Sequence, residues 1–545
     1  TLTLKIENKR LKNMHNIDTN FNLISLRRII KNFLLKSGLY PLYSFIINVI
    51  NIAFSNPFSK DKLVWELLPL DKQILECIDN NHIYSIWKKH SKKQNFLGDF
   101  YYEIGMYCNS IGLQDLATKI FEISLQFKFS NDTAMMYLTN FMLNSPDVYD
   151  HEYVYQVTKR TIKKLSEISE HDELLVKYPL PQIQKNKKIL NIGYTCHFFD
   201  NSTGTTLFLP ILKNHNKDKF KIFVYSDQHP SITKPSTKLL ADVWHDTHKL
   251  NTVDFCNLVR SDEIDIFIEL NGFCVKNRFK EVSLRCAPKQ VSFYNLSATS
   301  GADNLDYVII SEDFDIKKIK EYYSEEILVK KGSQNSTALN TNFSPVKSEL
   351  PLKRNGYITF GSFGQIHKVT RAQIFLWAEI MKKVPNSKFL LKSNNLDHPT
   401  YLKAFKKHFA DAGISSDRVI FEGYSGYNIL LSRYENIDIA LDTYPYAAGT
   451  TTMEALLQGT PVISLVGERI CSQHGKVSIN KINEDSLLSY SKEEYIEKAV
   501  ALANDPEKLE NYRLTLREKM LASPLSDIKT YTQELESAFT EIYNK

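Results

Sequence analysis

The chain has 545 residues, 43% hydrophobic and 24% charged, a composition typical of folded domains that excludes general disorder. Its 68 basic and 62 acidic side chains leave a net charge of +6 without any dense basic block, which excludes an electrostatic nucleic-acid binder. Seven cysteines (77, 108, 196, 256, 274, 286 and 471) contain no Cys-x-x-Cys pair, so neither a structural zinc site nor a disulfide scaffold is expected, and a reducing, cytoplasmic setting is.

At about 100–200 residues per domain, the length allows three or so domains. The opening stretch, Thr1 to Asn22, is polar and mixed in charge and does not read as a secretory signal. Residues 37–58 carry no charge, but Pro41, Ser44, Asn48 and Asn51 break the apolar run below the ~20 residues a bilayer span needs. We read Leu39–Phe54 as a buried or docking helix, with no stable membrane insertion. Residues 1–180 read as all-helical, with apolar residues at three- and four-residue spacing, as in Leu63, Leu67, Leu70 and Ile74. Within 98–145, Tyr101, Ile104, Gly105, Cys108, Gly112, Ala117, Phe121 and Ser124 sit at the spacings of a tetratricopeptide helix pair, with a poorer second copy near Asp132. Such a short array is also a candidate surface for homo-oligomer formation.

After Pro179 the texture changes to short apolar strands alternating with helical stretches. One series is expected at Ile189–Tyr194, Lys221–Tyr225, Ile264–Leu270, Gln290–Tyr294 and Tyr307–Ile310. A second is expected at Tyr357–Ser362, Lys388–Leu391, Val419–Phe421, Ile437–Leu441 and Val462–Val466. Strand–helix alternation predicts an α/β class, with two Rossmann-like domains over 186–345 and 346–522 and a cleft between them. Residues 523–545 read as a helix packing back across them.

Five polar loops follow strands of these series, where open parallel sheets bind ligands. Asp442 to Pro461 ends a strand, turns through Pro445 and Gly449, and opens a helix with Thr450, Thr451 and Thr452; free helix N–H groups and hydroxyls there suit phosphate, and Glu454 lies one turn in. The loop after Phe360 offers Gln365 and Lys368, the lysine as a point charge for a diphosphate. Tyr194 to Thr206 contributes His197 and Ser202, with His197 able to titrate near neutrality. Glu269, Asn271 and Arg278 end another strand, and Thr299 lies in a turn-rich loop. No carboxylate pair stands out as a general base; His197 and Glu269 are the candidates.

The motifs Ile192-Gly193-Tyr194, Leu270-Asn271-Gly272 with Arg278, Ala287-Pro288 with Gln290, Thr299-Ser300-Gly301, Asp306-Tyr307, Phe363 with Gln365 and Lys368, Asp442-Thr443, Thr450-Thr451, Gly459-Thr460-Pro461 and Ser523-Pro524-Leu525 occur in this order. In this the chain resembles the protein O-linked N-acetylglucosamine transferases and their bacterial relatives, which include cytoplasmic N-glucosyltransferases. The resemblance covers Ile189 to the C-terminus. It implies a GT-B fold and inverting transfer of a sugar from a uridine diphosphate donor to a protein or peptide, without a metal or other cofactor. By position, Gln365 and Lys368 would contact the diphosphate, Thr450 and Thr451 the phosphates, and Glu454 the ribose. Ser202 and Gly449 stand where relatives carry histidines, and Leu430, with Tyr427 and Ser425 nearby, falls where another histidine meets the uracil. Asn271, Arg278 and Thr299 would lie on the acceptor or sugar side. A Ser/Thr hydroxyl is the expected acceptor; asparagine, a glycan, or a helical scaffold without catalysis are the alternatives.

Overall fold

The computed structural model of the chain describes residues 77–90, 96–167, 175–200, 202–274, 276–294, 298–334, 336, 346 and 349–545. The expected apolar helix at Leu39–Phe54 lies outside them. Among the described residues no helix is long and apolar enough to cross a membrane.

Helices α1 (Leu97–Ser110), α2 (Gln114–Phe127), α3 (Asn131–Leu143) and α4 (His151–Glu167) precede the first sheet. The small residues noted above explain the α1–α2 hairpin: a Cβ on Gly105 would lie 2.6 Å from the Phe121 ring, and Gly112 turns the chain at φ +83°. Ser124 Oγ donates to the Gly98 carbonyl (2.8 Å), closing the pair. These contacts establish a helical hairpin.

The first sheet contains β1 (Leu190–Cys196), then helix α5 (Ser202–Leu207), β2 (Phe220–Ser226), β3 (Val243–Asp246), β4 (Ile266–Glu269), β5 (Lys289–Phe293), β6 (Tyr307–Ser311) and β7 (Glu326–Lys330). Its order is β3-β2-β1-β4-β5-β6-β7 and every pairing is parallel. The second contains β8 (Thr359–Phe363), helix α6 (Arg371–Lys383), β9 (Lys388–Lys392), β10 (Val419–Glu422), helix α7 (Tyr427–Arg433), β11 (Ile439–Leu441), helix α8 (Thr450–Leu457), β12 (Val462–Leu465) and β13 (Leu488–Ser489). Its order is β10-β9-β8-β11-β12-β13, again parallel. In each sheet the winding reverses beside its first strand, between β1 and β4 and between β8 and β11. Those reversals are where doubly wound sheets open a ligand crevice.

The central strands are buried runs: every residue of β4, β6, β8 and β12 is buried. Such runs are what a sheet covered on both faces requires. The sequence reading passes over β3, β7 and β13. β3 and β7 are edge strands with partly exposed residues, and β13 has two residues, so none presents a long buried apolar run. It also starts β1 one residue early, at the exposed Ile189.

The last helix, α9 (Ile528–Asn544), returns to the first sheet: Glu536 accepts from His215 Nδ1 (2.9 Å) and the Asn216 N–H (2.7 Å), and Phe539 packs edge-on to Tyr194. Helices α1–α3 rest on loops of both sheets. Gln114 Nε2 donates to the His367 carbonyl (2.7 Å), the Arg371 N–H to the Gly112 carbonyl (2.9 Å), and Thr139 to the Phe273 carbonyl (3.3 Å).

Candidate active site at two switch points

Strand β8 ends in a 3₁₀ turn, Ile366–Lys368, and Thr370 then caps α6 by accepting the Gln373 N–H (3.0 Å). Its neighbour β11 ends at Leu441, and a loop carries the chain to α8. The two loops meet: Lys368 Nζ donates to the Ala447 carbonyl (3.3 Å) and lies 4.0 Å from the centre of the Tyr446 ring. Gln365, Lys368, Asp442, Thr443, Thr451 and Thr452 line one cleft. The expected lysine and threonine helix thus come together, from adjacent strands of one sheet.

Burial in the cleft moves both its charges toward neutrality. Burial pushes Lys368 down to about 8, against the pull of Asp442. Burial pushes Asp442 up to about 6, although Ser464 Oγ (2.6 Å) and the Ala448 and Thr443 N–H groups (2.8 Å each) donate to its carboxylate. A Cβ on Gly475 would lie 2.6 Å from that carboxylate, so only glycine fits this approach. Helix α8 begins at Thr450 after Gly449 with no side-chain cap. Its first N–H groups and positive dipole end therefore point into the loop.

The three threonines differ. Thr451 lines the cleft. Thr450 pairs with the phenol of Tyr294, at the end of β5. Thr452 is buried and donates inward to the Ala448 carbonyl (2.8 Å), so its hydroxyl hydrogen is not available to a phosphate, contrary to expectation. Glu454 is pushed up to about 7 by burial, with the Tyr427 hydroxyl drawing it back. Thr206 of α5 reaches that same tyrosine from the first sheet. Leu430 packs against the core, and Ser425 Oγ is buried with no hydrogen-bond partner among the described residues.

At the first switch point, His197 follows β1 and Asn271 follows β4. The His197 N–H (3.1 Å) and its Nδ1 (2.8 Å) both meet Asn271 Oδ1. Glu269 is fully buried and accepts the Asn271 (3.1 Å) and Gly272 (2.7 Å) N–H groups; burial still pushes it up to about 7. It braces a turn and does not face the cleft. Two expected acceptor-side residues are likewise structural. Arg278 donates to the Asp227 carboxylate (Nε, 2.9 Å, and Nη2), Glu281 (2.8 Å), and the Thr247 (3.0 Å) and Leu250 (3.5 Å) carbonyls. That uses all five donors of its guanidinium. Thr299 Oγ1 donates to Glu325 (2.7 Å). Ser202 opens α5.

Three residues near the second switch point escape the sequence reading of the site. Tyr294 holds a left-handed backbone (φ +76°) that bulky residues rarely adopt, and packs edge-on to Phe208. Tyr434 donates to the Thr451 carbonyl (3.3 Å). His474 lies 6.0 Å from Tyr446 and is pushed down to about 3 by burial and then by Lys368. Only a strand end marks Tyr294 in sequence, and nothing there signals its backbone.

Two doubly wound sheets joined by crossing contacts, with a lysine and a helix N-terminus at the switch point of the second, define a GT-B architecture. A mutant O-GlcNAc transferase of Thermobaculum terrenum shares the fold: TM-score 0.75 at 20% identity, over 96% of this chain and 98% of that one. The model of glycosyl transferase family 41 matches residues 149–332 and 345–535, and the chain belongs to that family. A barley protein named probable UDP-N-acetylglucosamine–peptide N-acetylglucosaminyltransferase SPINDLY is 31% identical over 367 residues, 65% of this chain and 38% of its own length. An Arabidopsis thaliana protein with the same activity in its name, SEC, is 27% identical over 369 residues, 66% of this chain and 37% of its own. The chain thus spans about two-fifths of the length of these plant relatives.

Proposed function

We propose that the chain moves a sugar from a uridine diphosphate donor to a protein side chain, with N-acetylglucosamine and a serine or threonine hydroxyl as the first pair to test. The observation that carries this reading is the shared cleft of Lys368, Thr451 and the uncapped end of α8 at the β8–β11 switch point. Family membership and the relatives' names support it.

The acceptor oxygen attacks the anomeric carbon in line with the departing diphosphate, inverting the configuration there. Negative charge grows on the leaving phosphate oxygens. Lys368, Gln365, Thr450, Thr451 and the α8 N–H groups meet that charge with a preorganised field, which favours the transition state more than the bound donor. A diphosphate beside Lys368 also restores the charge that burial weakens. Glu454 accepts from the ribose hydroxyls, and Tyr427, Ser425 and Leu430 flank the base. In this reading the amine and the helix end supply the positive charge, so the step needs no metal. The seven free thiols fit a reducing cytoplasm.

Calorimetric titration with UDP tests the donor site. Mass spectrometry of acceptors co-expressed with the wild type or Lys368→Ala gives the sugar mass and the linked residue together. Absence of UDP binding defeats the reading; a glycosylated asparagine moves it to N-linkage.

A further inference from the structure

The first switch point carries a group that the donor site leaves unused. We propose that His197 is the base that removes the acceptor's proton, through Nε2, and that Asn271 is the positioning residue that fixes it in the required tautomer. This rests on the transfer reading above.

The tautomer follows from the contacts. Asn271 Oδ1 accepts the backbone N–H of His197, which can only donate, so the atom there is the amide oxygen. The same oxygen lies 2.8 Å from Nδ1. Nδ1 must therefore carry the hydrogen, and the lone pair sits on Nε2, which bonds to nothing among the described residues. Asn271 cannot relax away: it is fully buried, and its own N–H is held by Glu269. The ring is wedged edge-on against Phe198, with centroids 4.8 Å apart. This is the base–orienter geometry that general-base catalysis needs.

The surroundings keep the ring neutral, and a chain of packed rings links its loop to the start of α8. Burial lowers its affinity for a proton, and Lys276, after β4, adds to that; the Asn271 bond and Asp227, after β2, oppose it. Asp227 is itself engaged by Arg278 and Thr247, and Glu269 lies behind Asn271. From the ring, Phe198 packs on Phe208 and Phe208 on Tyr294, whose hydroxyl meets Thr450 at the start of α8. Five residues beyond His197, α5 begins and brings Thr206 to Tyr427.

In the step, the acceptor O–H bond breaks and its proton goes to Nε2. The oxygen's electron pair forms the bond to the anomeric carbon, and the carbon–phosphate oxygen pair leaves on the diphosphate. The imidazolium then returns its proton to solvent.

The test measures UDP release from UDP-N-acetylglucosamine with a serine/threonine peptide library, against pH, beside calorimetric UDP binding. His197→Ala is expected to lower kcat about 100-fold or more while UDP affinity holds, with partial rescue by added imidazole. Asn271→Asp puts a carboxylate on Nδ1–H, favours the protonated ring, and is expected to move the acidic limb of kcat to higher pH. A kcat within threefold of wild type for His197→Ala, or an unmoved limb for Asn271→Asp, overturns the proposal. Loss of UDP binding by the wild type defeats the donor reading instead. If no peptide in the library is turned over, carbethoxylation of His197 by diethylpyrocarbonate decides: a midpoint that rises in Asn271→Asp supports the assignment, and an unreactive ring overturns it.

Discussion

The two sheets reverse their winding in the same way and use the reversal for opposite ends. At the second switch point a half-buried amine, drawn toward Asp442, and an uncapped helix end gather positive potential. At the first, the arginine spends all five donors on protein acceptors, and what remains is a neutral imidazole on a buried amide. On the proposed reading the same topology yields an anion cradle in one place and a proton-handling group in the other. The difference lies in how many of each cation's donors find acceptors within the protein.

That contrast is easiest to break through its two cations. Arg278→Ala leaves Asp227 and Glu281 buried without their partner. A cost of about 3–5 kcal/mol in unfolding free energy is expected, with UDP affinity kept in the protein that remains folded. Chemical denaturation of the two proteins checks this. Lys368→Ala should do the reverse: transfer falls about 10²–10³-fold, as for loss of one preorganised donor, while the denaturation midpoint holds. If Arg278→Ala abolishes UDP binding, or Lys368→Ala chiefly unfolds the chain, the division of labour is wrong.

The pH dependence of UDP binding sharpens the comparison further. Glu454 is raised to about 7, so its hydrogen-bond-accepting carboxylate form fills in as pH rises through 7. Lys368 is lowered to about 8, so the free cleft loses its cation as pH rises through 8. UDP affinity is therefore expected to peak between these values. Glu454→Gln should flatten the acidic side, and calorimetry from pH 6 to 9 checks it. The smallest effects separate neighbouring threonines. Thr451→Val should weaken UDP about tenfold, the ~1.4 kcal/mol of a good hydrogen bond. Thr452→Val should leave UDP binding alone and cost about 1 kcal/mol of stability through the bond it donates to Ala448.

These pairs also show how far the amino-acid order could be read. The central strands are legible because their burial on both faces demands apolar runs, as in β8 and β12. The edge strands β3 and β7 lack that demand and pass unseen. Lys368 and Thr451 are legible because each follows a buried strand. Thr452, Thr299 and Arg278 look equally functional in sequence, since a polar residue at a strand end does not reveal whether its partner is a ligand or a backbone carbonyl. Tyr294 fails the other way: its backbone conformation appears only when the chain is folded.

The amide of Gln114 grips the peptide unit next to Lys368, and the neighbouring turn at Gly112 holds the start of α6. Peeling the helices away would therefore loosen the anchorage of the cation itself. A dissected fragment starting at Leu190 would keep both sheets yet lose that buttress, and even one cut where the family match begins, at residue 149, would lack it. A fragment that keeps this buttress must begin upstream of Gly112.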